Sequence, residues 1–244
     1  MTSAFPFAFP LSQSDILRRR AMILTSLCAR DGGFSQLPAC SLAPGTLNAM
    51  LGLYDELFFS RLLERSYGEL CVTLSSRLTS SAGKFIYARS AARRLQRAEI
   101  RMSSDFLFRL QKGPFLLNGL SLATPQEAFL VVFEHELCHA VETAIYGATG
   151  HSKRFLALAN GLFGHTDTRH SLPTRREDAA QNGLLVGSLV SFPFEGKTLR
   201  GLITYIGKTA TVMVPDARGT YRDRTGHRYT KYRVPVSLLE KTSK

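Results

Sequence analysis

This chain has no disulfide framework, no metal-binding cysteine pair and no apolar run of membrane length. Its four cysteines, Cys28, Cys40, Cys71 and Cys138, are scattered and contain no Cys-x-x-Cys. That spacing excludes a cysteine zinc ribbon and points to a reducing compartment. No apolar stretch approaches the roughly 18–20 residues that cross a bilayer. Residues Met1–Pro10 bring aromatics and prolines but neither a basic start nor a long apolar core, so no secretory signal is expected there. Acid is also scarce: 19 Asp/Glu stand against 31 Lys/Arg, a net charge of +12. The expectation is a cytoplasmic, nucleoid-associated protein, or a nuclear one in a eukaryote.

The excess of base is uneven. Between Lys84 and Lys112 eight Lys/Arg face Glu99 and Asp105, and from Pro173 onward thirteen Lys/Arg face six Asp/Glu. Residues 124–172, by contrast, hold three bases and five acids. Basic regions flanking a slightly acidic one suit a DNA or other nucleic-acid partner held near a reaction site rather than in it. A solvated basic face without a partner is the plain alternative. A membrane surface is the weaker one, because no long apolar face accompanies the charge.

What the slightly acidic region contains is His135-Glu136-Leu137-Cys138-His139. On an α-helix, residues four apart lie about 6 Å along the axis and about 40° around it, so both imidazoles point at one spot. Zinc accepts nitrogen ligands there, and Glu136 is placed to act as general base. The local pattern is helical. Thr124-Pro125-Gln126-Glu127 reads as an N-cap, a first-turn proline and a capping-box glutamate, and Gly147 is the stop. Phe129, Val132, Phe133, Leu137, Val141 and Ala144 keep helical spacing, which makes the histidines and glutamates among them costly unless paired or bound to metal.

A third ligand must come from elsewhere. Ile145 stands where a metzincin-type ligand would fall, and no glutamate follows Glu142 until Glu177. The best candidate is His151, brought back by the short loop Gly147–Gly150, with Ser152 capping a second helix to about Phe163. His165 and His170 follow, then a carboxylate, Glu142 or Asp167. Glu142, one turn beyond His139, is also suited to orienting an imidazole.

The motif followed by Gly150-His151-x-x-x-Phe155 resembles the SprT-like (Spartan-type) metalloprotease domain. The resemblance extends upstream. Leu53-Tyr54-x-x-Leu57-Phe58-Phe59 with Leu62 resembles that family's helix before its sheet. Val72-x-Leu74-Ser75-x-Arg77-Leu78-x-Ser80-x-Ala82-Gly83 resembles its hairpin, and Ile100-x-Met102-Ser103 the strand before its active-site helix. It covers about residues 46–165. It implies metal on His135, His139 and His151, Glu136 as general base, and cleavage of proteins bound or crosslinked to DNA. The C-terminal zinc ribbon of many relatives has no counterpart here, and the basic stretch Tyr87–Arg97 is unlike the family.

The chain of 244 residues, 44% hydrophobic, is large enough for a real core and a second small domain. Residues 1–45 hold an amphipathic helix over 14–30 (Ile16, Leu17, Ile23, Leu24, Leu27), with Arg18–Arg20 on its polar sides, and then a loop. Residues 46–172 form an α+β, zincin-like domain of helices and a small antiparallel sheet. Residues 173–185 are a linker, polar over Arg175–Asn182. In residues 186–244 the period becomes two: Val190, Phe192, Phe194; Leu199, Ile203, Tyr205; Ala210, Val212, Val214. This resembles a small SH3-like or KOW/Tudor-type barrel. Tyr221, Arg222, Arg224, His227, Arg228, Tyr229, Lys231, Tyr232 and Arg233 mix aromatics with cations, as base stacking beside phosphate contacts requires, though half the aromatics suit a core equally.

The function expected is zinc-dependent peptide hydrolysis on nucleic-acid-associated proteins. The alternatives are a zinc-stabilised nucleic-acid-binding or transcription-associated module with little proteolysis, and a hydrolase of another bond. Glu136 speaks against the module, since a structural zinc site needs ligands but no base.

Overall fold

The computed structural model describes residues 5–37, 42–78, 81–89, 95–110, 113–168, 179–180, 183–207 and 209–242. The chain divides into two compact units, Met1–Leu172 and Pro173–Lys244. Among the described residues no helix is long and apolar enough to cross a membrane.

The first unit opens with α1 (Gln13–Arg30), started by Ser12, whose side chain accepts from the Asp15 N–H. Its buried stripe is Ile16, Arg20, Ile23 and Leu27. Arg20 is therefore not on a polar side as its neighbours suggest. Arg18 is exposed and pairs with Asp15, whereas Arg20 points inward with the apolar row. The short α2 (Gly32–Ser35) leads to α3 (Pro44–Phe59) and α4 (Leu62–Ser66). Buried Asp55 makes the corner between the last two by accepting from the Leu63 and Glu64 N–H groups, both at 2.8 Å.

Three strands follow: β1 (Glu69–Ser75), β2 (Gly83–Arg89) and β3 (Leu95–Ser103). Their order is β1-β3-β2, with β1 parallel and β2 antiparallel to β3. The expected β1–β2 hairpin and purely antiparallel sheet are thus replaced by a mixed sheet. The reason lies in burial: Ala98, Ile100 and Met102 of β3 are all inside, against Val72 alone in β1 and Gly83 alone in β2. The strand with the most apolar surface to hide takes the middle. That leaves β2 on the edge, packed beside the long helix that carries the histidines.

Next come α5 (Ser104–Arg109) and the hairpin β4 (Phe115–Leu117) and β5 (Leu120–Leu122), joined by Asn118-Gly119 with both φ values positive. This is the two-residue turn whose twist matches antiparallel strands. The unit ends with α6 (Pro125–Tyr146) and α7 (Lys153–Phe163). Its core gathers Phe34, Tyr54, Phe58, Phe59, Phe129, Phe133, Phe155 and Phe163 around α6.

The second unit is an antiparallel sheet of β6 (Leu189–Phe194), β7 (Lys197–Ile206), β8 (Ala210–Pro215), β9 (Tyr221–Arg222), β10 (Arg228–Val234) and β11 (Glu240–Lys241). The order is β11-β6-β7-β8-β10-β9. The expected SH3-like barrel is not formed among the described residues. The two end strands are only two residues long and do not pair with each other, so the sheet stays open. Val190, Phe192, Ile203, Ala210, Val212 and Val234 make its own core. One alternation breaks. A register shift between Ile203 and Tyr205 turns Tyr205 outward, where it is 62% exposed, although its spacing matches buried Ile203. A bulge adds one residue to a strand and so flips every later side chain. The expected linker Arg175–Asn182 lies largely outside the described residues.

Candidate metal centre

The histidine helix α6 is built as its sequence demands. Thr124 Oγ1 accepts from the Glu127 N–H at 3.2 Å while Glu127 Oε2 accepts from the Thr124 N–H at 3.0 Å. Gly147, with φ 78°, ends the helix in the left-handed conformation that a residue without Cβ adopts freely. The loop then reverses, and Ser152 starts α7 by accepting from the Phe155 N–H at 3.4 Å.

This path brings His151 to the other two histidines. Its Nε2 lies 2.9 Å from His135 Nε2 and 3.2 Å from His139 Nε2. Zinc holding nitrogens at about 2.0–2.1 Å in a tetrahedron would space them about 3.3 Å apart, so the donors converge on a metal-sized point. Among the described residues these three form the one group of His, Cys, Asp or Glu whose ligand atoms are mutually close. Phe155 lies beneath all three, with ring centroids 5.1 Å from His135, 4.4 Å from His139 and 5.1 Å from His151. The phenylalanine of the Gly-His-x-x-x-Phe pattern thus packs against every imidazole of the group.

The other candidates fall elsewhere. Glu142 is buried and committed: Oε2 accepts from Thr149 Oγ1 at 2.7 Å and from the Gly150 N–H at 3.1 Å, and Oε1 from Arg154 Nε at 2.8 Å. Thr149, having given its proton to Glu142, can only accept from His139 Nδ1–H, 2.7 Å away. That chain fixes the tautomer of His139 and leaves the Nε2 lone pair free for a metal. Burial, with His151 beside it, holds the His139 imidazolium down to about 4, so the ring is neutral at pH 7. Glu142 thus orients an imidazole, as its spacing suggests, but through Thr149, which no local signal in the sequence marks.

His165 is buried on another side of α6. Its Nδ1 accepts from Asn118 Nδ2 at 3.2 Å, and its Nε2–H donates to Glu134 Oε2 at 3.0 Å. Glu134 also takes two bonds from Arg20 (Nε–Oε1 2.8 Å, Nη2–Oε2 2.7 Å) and one from Tyr54 Oη at 2.8 Å. A carboxylate with no exposure is thereby neutralised and saturated, and α1, α3 and the segment after α7 are tied to α6 one residue before His135. Asp167 is exposed and outside the histidine group, and His170 lies outside the described residues.

Glu136 sits against β2. A Cβ on Gly83 would lie 2.7 Å from Glu136 Cγ and Oε1, so the glycine of the upstream motif is the space into which the carboxyl fits. Burial pushes this carboxyl up to about 8, opposed by the hydrogen bond it receives from the Phe85 backbone. This nearly dry carboxyl belongs to the residue that follows His135 on α6.

No curated protein matches the chain. The pattern of the SprT-like family matches residues 47–173, over half of the chain. Because that match covers over half of the chain, the chain belongs to the SprT-like family.

Proposed function

We propose that this protein is a zinc-dependent metallopeptidase that cleaves proteins associated with nucleic acid, the chemistry required to clear a protein crosslinked to DNA. The observation that carries the hydrolytic part is the meeting of three imidazole Nε2 atoms next to buried Glu136. His135, His139 and His151 would hold the metal; three protein ligands rather than four is the donor set of catalytic zinc, and imidazole suits zinc over harder cations. Zinc held there would supply Lewis acidity to water and to the scissile carbonyl.

The chain's own residues do the rest. Glu136 takes a proton from the attacking water and delivers it to the leaving amine nitrogen. Gly83 and Phe85 hold the edge of β2 against Glu136, so an extended polypeptide adding to that edge runs past the base. Thr149 and Glu142 keep His139 in the metal-binding tautomer. The nucleic-acid part rests on charge: the excess of base in residues 84–112 and after Pro173 flanks the slightly acidic region of the histidines.

The test is cleavage of a histone by the zinc-loaded chain, with and without single-stranded DNA, beside Glu136→Gln. Cleavage that needs DNA and vanishes in the variant is expected. Intact histone under every condition, with zinc bound stoichiometrically, would replace this reading with that of a zinc-stabilised binding module.

A further inference from the structure

The C-terminal sheet hides one face on its core and turns the other outward. On that outer face the strand register sets side chains in rows: Leu202, Met213 and Lys231 in one, Tyr205, Thr211 and Arg233 in the next. A third row is Pro215, Tyr229 and Tyr221. Tyr205 is 62% and Tyr221 46% exposed. Lys231 Nζ stands 5.5 Å from the centroid of the Tyr221 ring. Two hollows of about 440 Å³ and about 600 Å³ run along the face and share Thr204 and Met213 as a common wall. Tyr232, between Lys231 and Arg233, points the other way and packs on Phe192 and Phe194.

The cations are Arg200 and Arg222 around the second hollow and Lys231 and Arg233 in the first. Of the acids, Asp223 is occupied by Thr225 and the Tyr229 hydroxyl, Asp216 accepts from Thr230 and the Arg218 N–H, and Glu195 and Glu240 line neither hollow. Exposed rings interleaved with cations match the chemistry of unpaired bases on a phosphodiester chain: rings take the base faces and cations take the phosphates. A duplex cannot use the rings, because its bases already stack on one another. β7 and β9 are three strand spacings apart, roughly 14 Å, so the two tyrosines would meet different bases of one strand.

We infer that this face binds single-stranded nucleic acid, with Tyr205 and Tyr221 stacking on bases and Lys231 and Arg233 contacting phosphates. The inference rests on the nucleic-acid part of the proposed function and not on its hydrolytic part. Its experiment therefore reads binding in a chain that carries Glu136→Gln.

Fluorescence anisotropy with labelled oligo-dT and oligo-rU of about fifteen nucleotides is the measurement, with a duplex of equal length as comparison. Tyr205→Ala and Tyr221→Ala should each weaken single-strand binding about ten-fold, and Tyr205→Phe should restore it. Lys231→Gln and Arg233→Gln should each reduce the slope of log K against log salt by about 0.7. Arg18→Gln, an exposed cation on α1, should change nothing. Both alanine variants binding like the parent with unchanged melting temperatures, or tighter duplex binding indifferent to the tyrosines, would overturn the inference. Failure of zinc-loaded wild type to cut a histone would leave these binding results standing, so the two readings fail separately.

Discussion

Gly83→Ala adds one methyl group to the protein, and it lands on Glu136, the base of the proposed function. The new Cβ would stand 2.7 Å from Glu136 Cγ and Oε1, against about 3.5 Å for relaxed carbon contacts. The carboxyl must move by about 0.8 Å, or β2 must move away and take the Phe85 N–H with it. A misplacement of about 1 Å can cost about 10²-fold in rate, or about 2.7 kcal/mol of transition-state stabilisation. Overpacking of this kind typically costs about 1–3 kcal/mol in stability, so the variant should still fold. The assay is hydrolysis of a peptide substrate under saturating zinc, with zinc stoichiometry and melting temperature measured on the same samples. The expected result is kcat lower by about 10²-fold with one zinc still bound, because the atoms nearest the new methyl all belong to Glu136 and none to an imidazole. Gly52→Ala in α3, where nothing lies within 4 Å of the new methyl, is the control and should keep full activity. Full activity in Gly83→Ala, or loss of zinc along with activity, would refute the assignment of β2 as the support of Glu136.

Three further outcomes follow from the groups around α6. Thr149→Val keeps the shape but breaks the chain from Glu142 to His139, and should weaken zinc about 10–100-fold in a chelator competition, with Thr149→Ser close to wild type. Glu134→Ala leaves Arg20 buried without its counterion and should cost about 3–5 kcal/mol by thermal unfolding, most of it recovered in Arg20→Met/Glu134→Leu. The same carboxylate makes the fold acid-sensitive. Burial alone would raise it, but Arg20 and His165 outweigh burial and hold it down to about 2. Its stabilisation is therefore complete above the ordinary carboxylate value of 4.5 and drains away as pH falls toward 2, which unfolding midpoints across that range would reveal.

What could be read from the sequence is what is set locally. The capping box at Thr124, the stop at Gly147 and the four-residue spacing of His135 and His139 all act within one helix, and α6 has those limits. His151 was within reach because only a short loop separates two capped helices. The order of the three strands was not, because it depends on which strand has most to bury, and β1 and β2 look like a hairpin until β3 is counted. Arg20 reads as a surface residue since its partner is 114 positions away. His165 competes with His151 on paper because composition does not say which side of α6 a histidine will reach. In the second unit alternation identifies the faces of strands, but the bulge before Tyr205 and the closure of a barrel both lie beyond it.

The clasp between Arg20 and Glu134 also separates two ideas of where this domain begins. Kinship, read as shared pattern, starts at residue 47. Mechanical integrity starts earlier, because the charge that neutralises the carboxylate next to His135 is carried by α1, in a stretch the family pattern does not include. A chain trimmed to the recognisable homology would keep His135, Glu136, His139 and His151, yet strand an anion in the middle of its core. The matched stretch is shorter than the packed unit, and the difference includes that guanidinium together with the apolar stripe of α1.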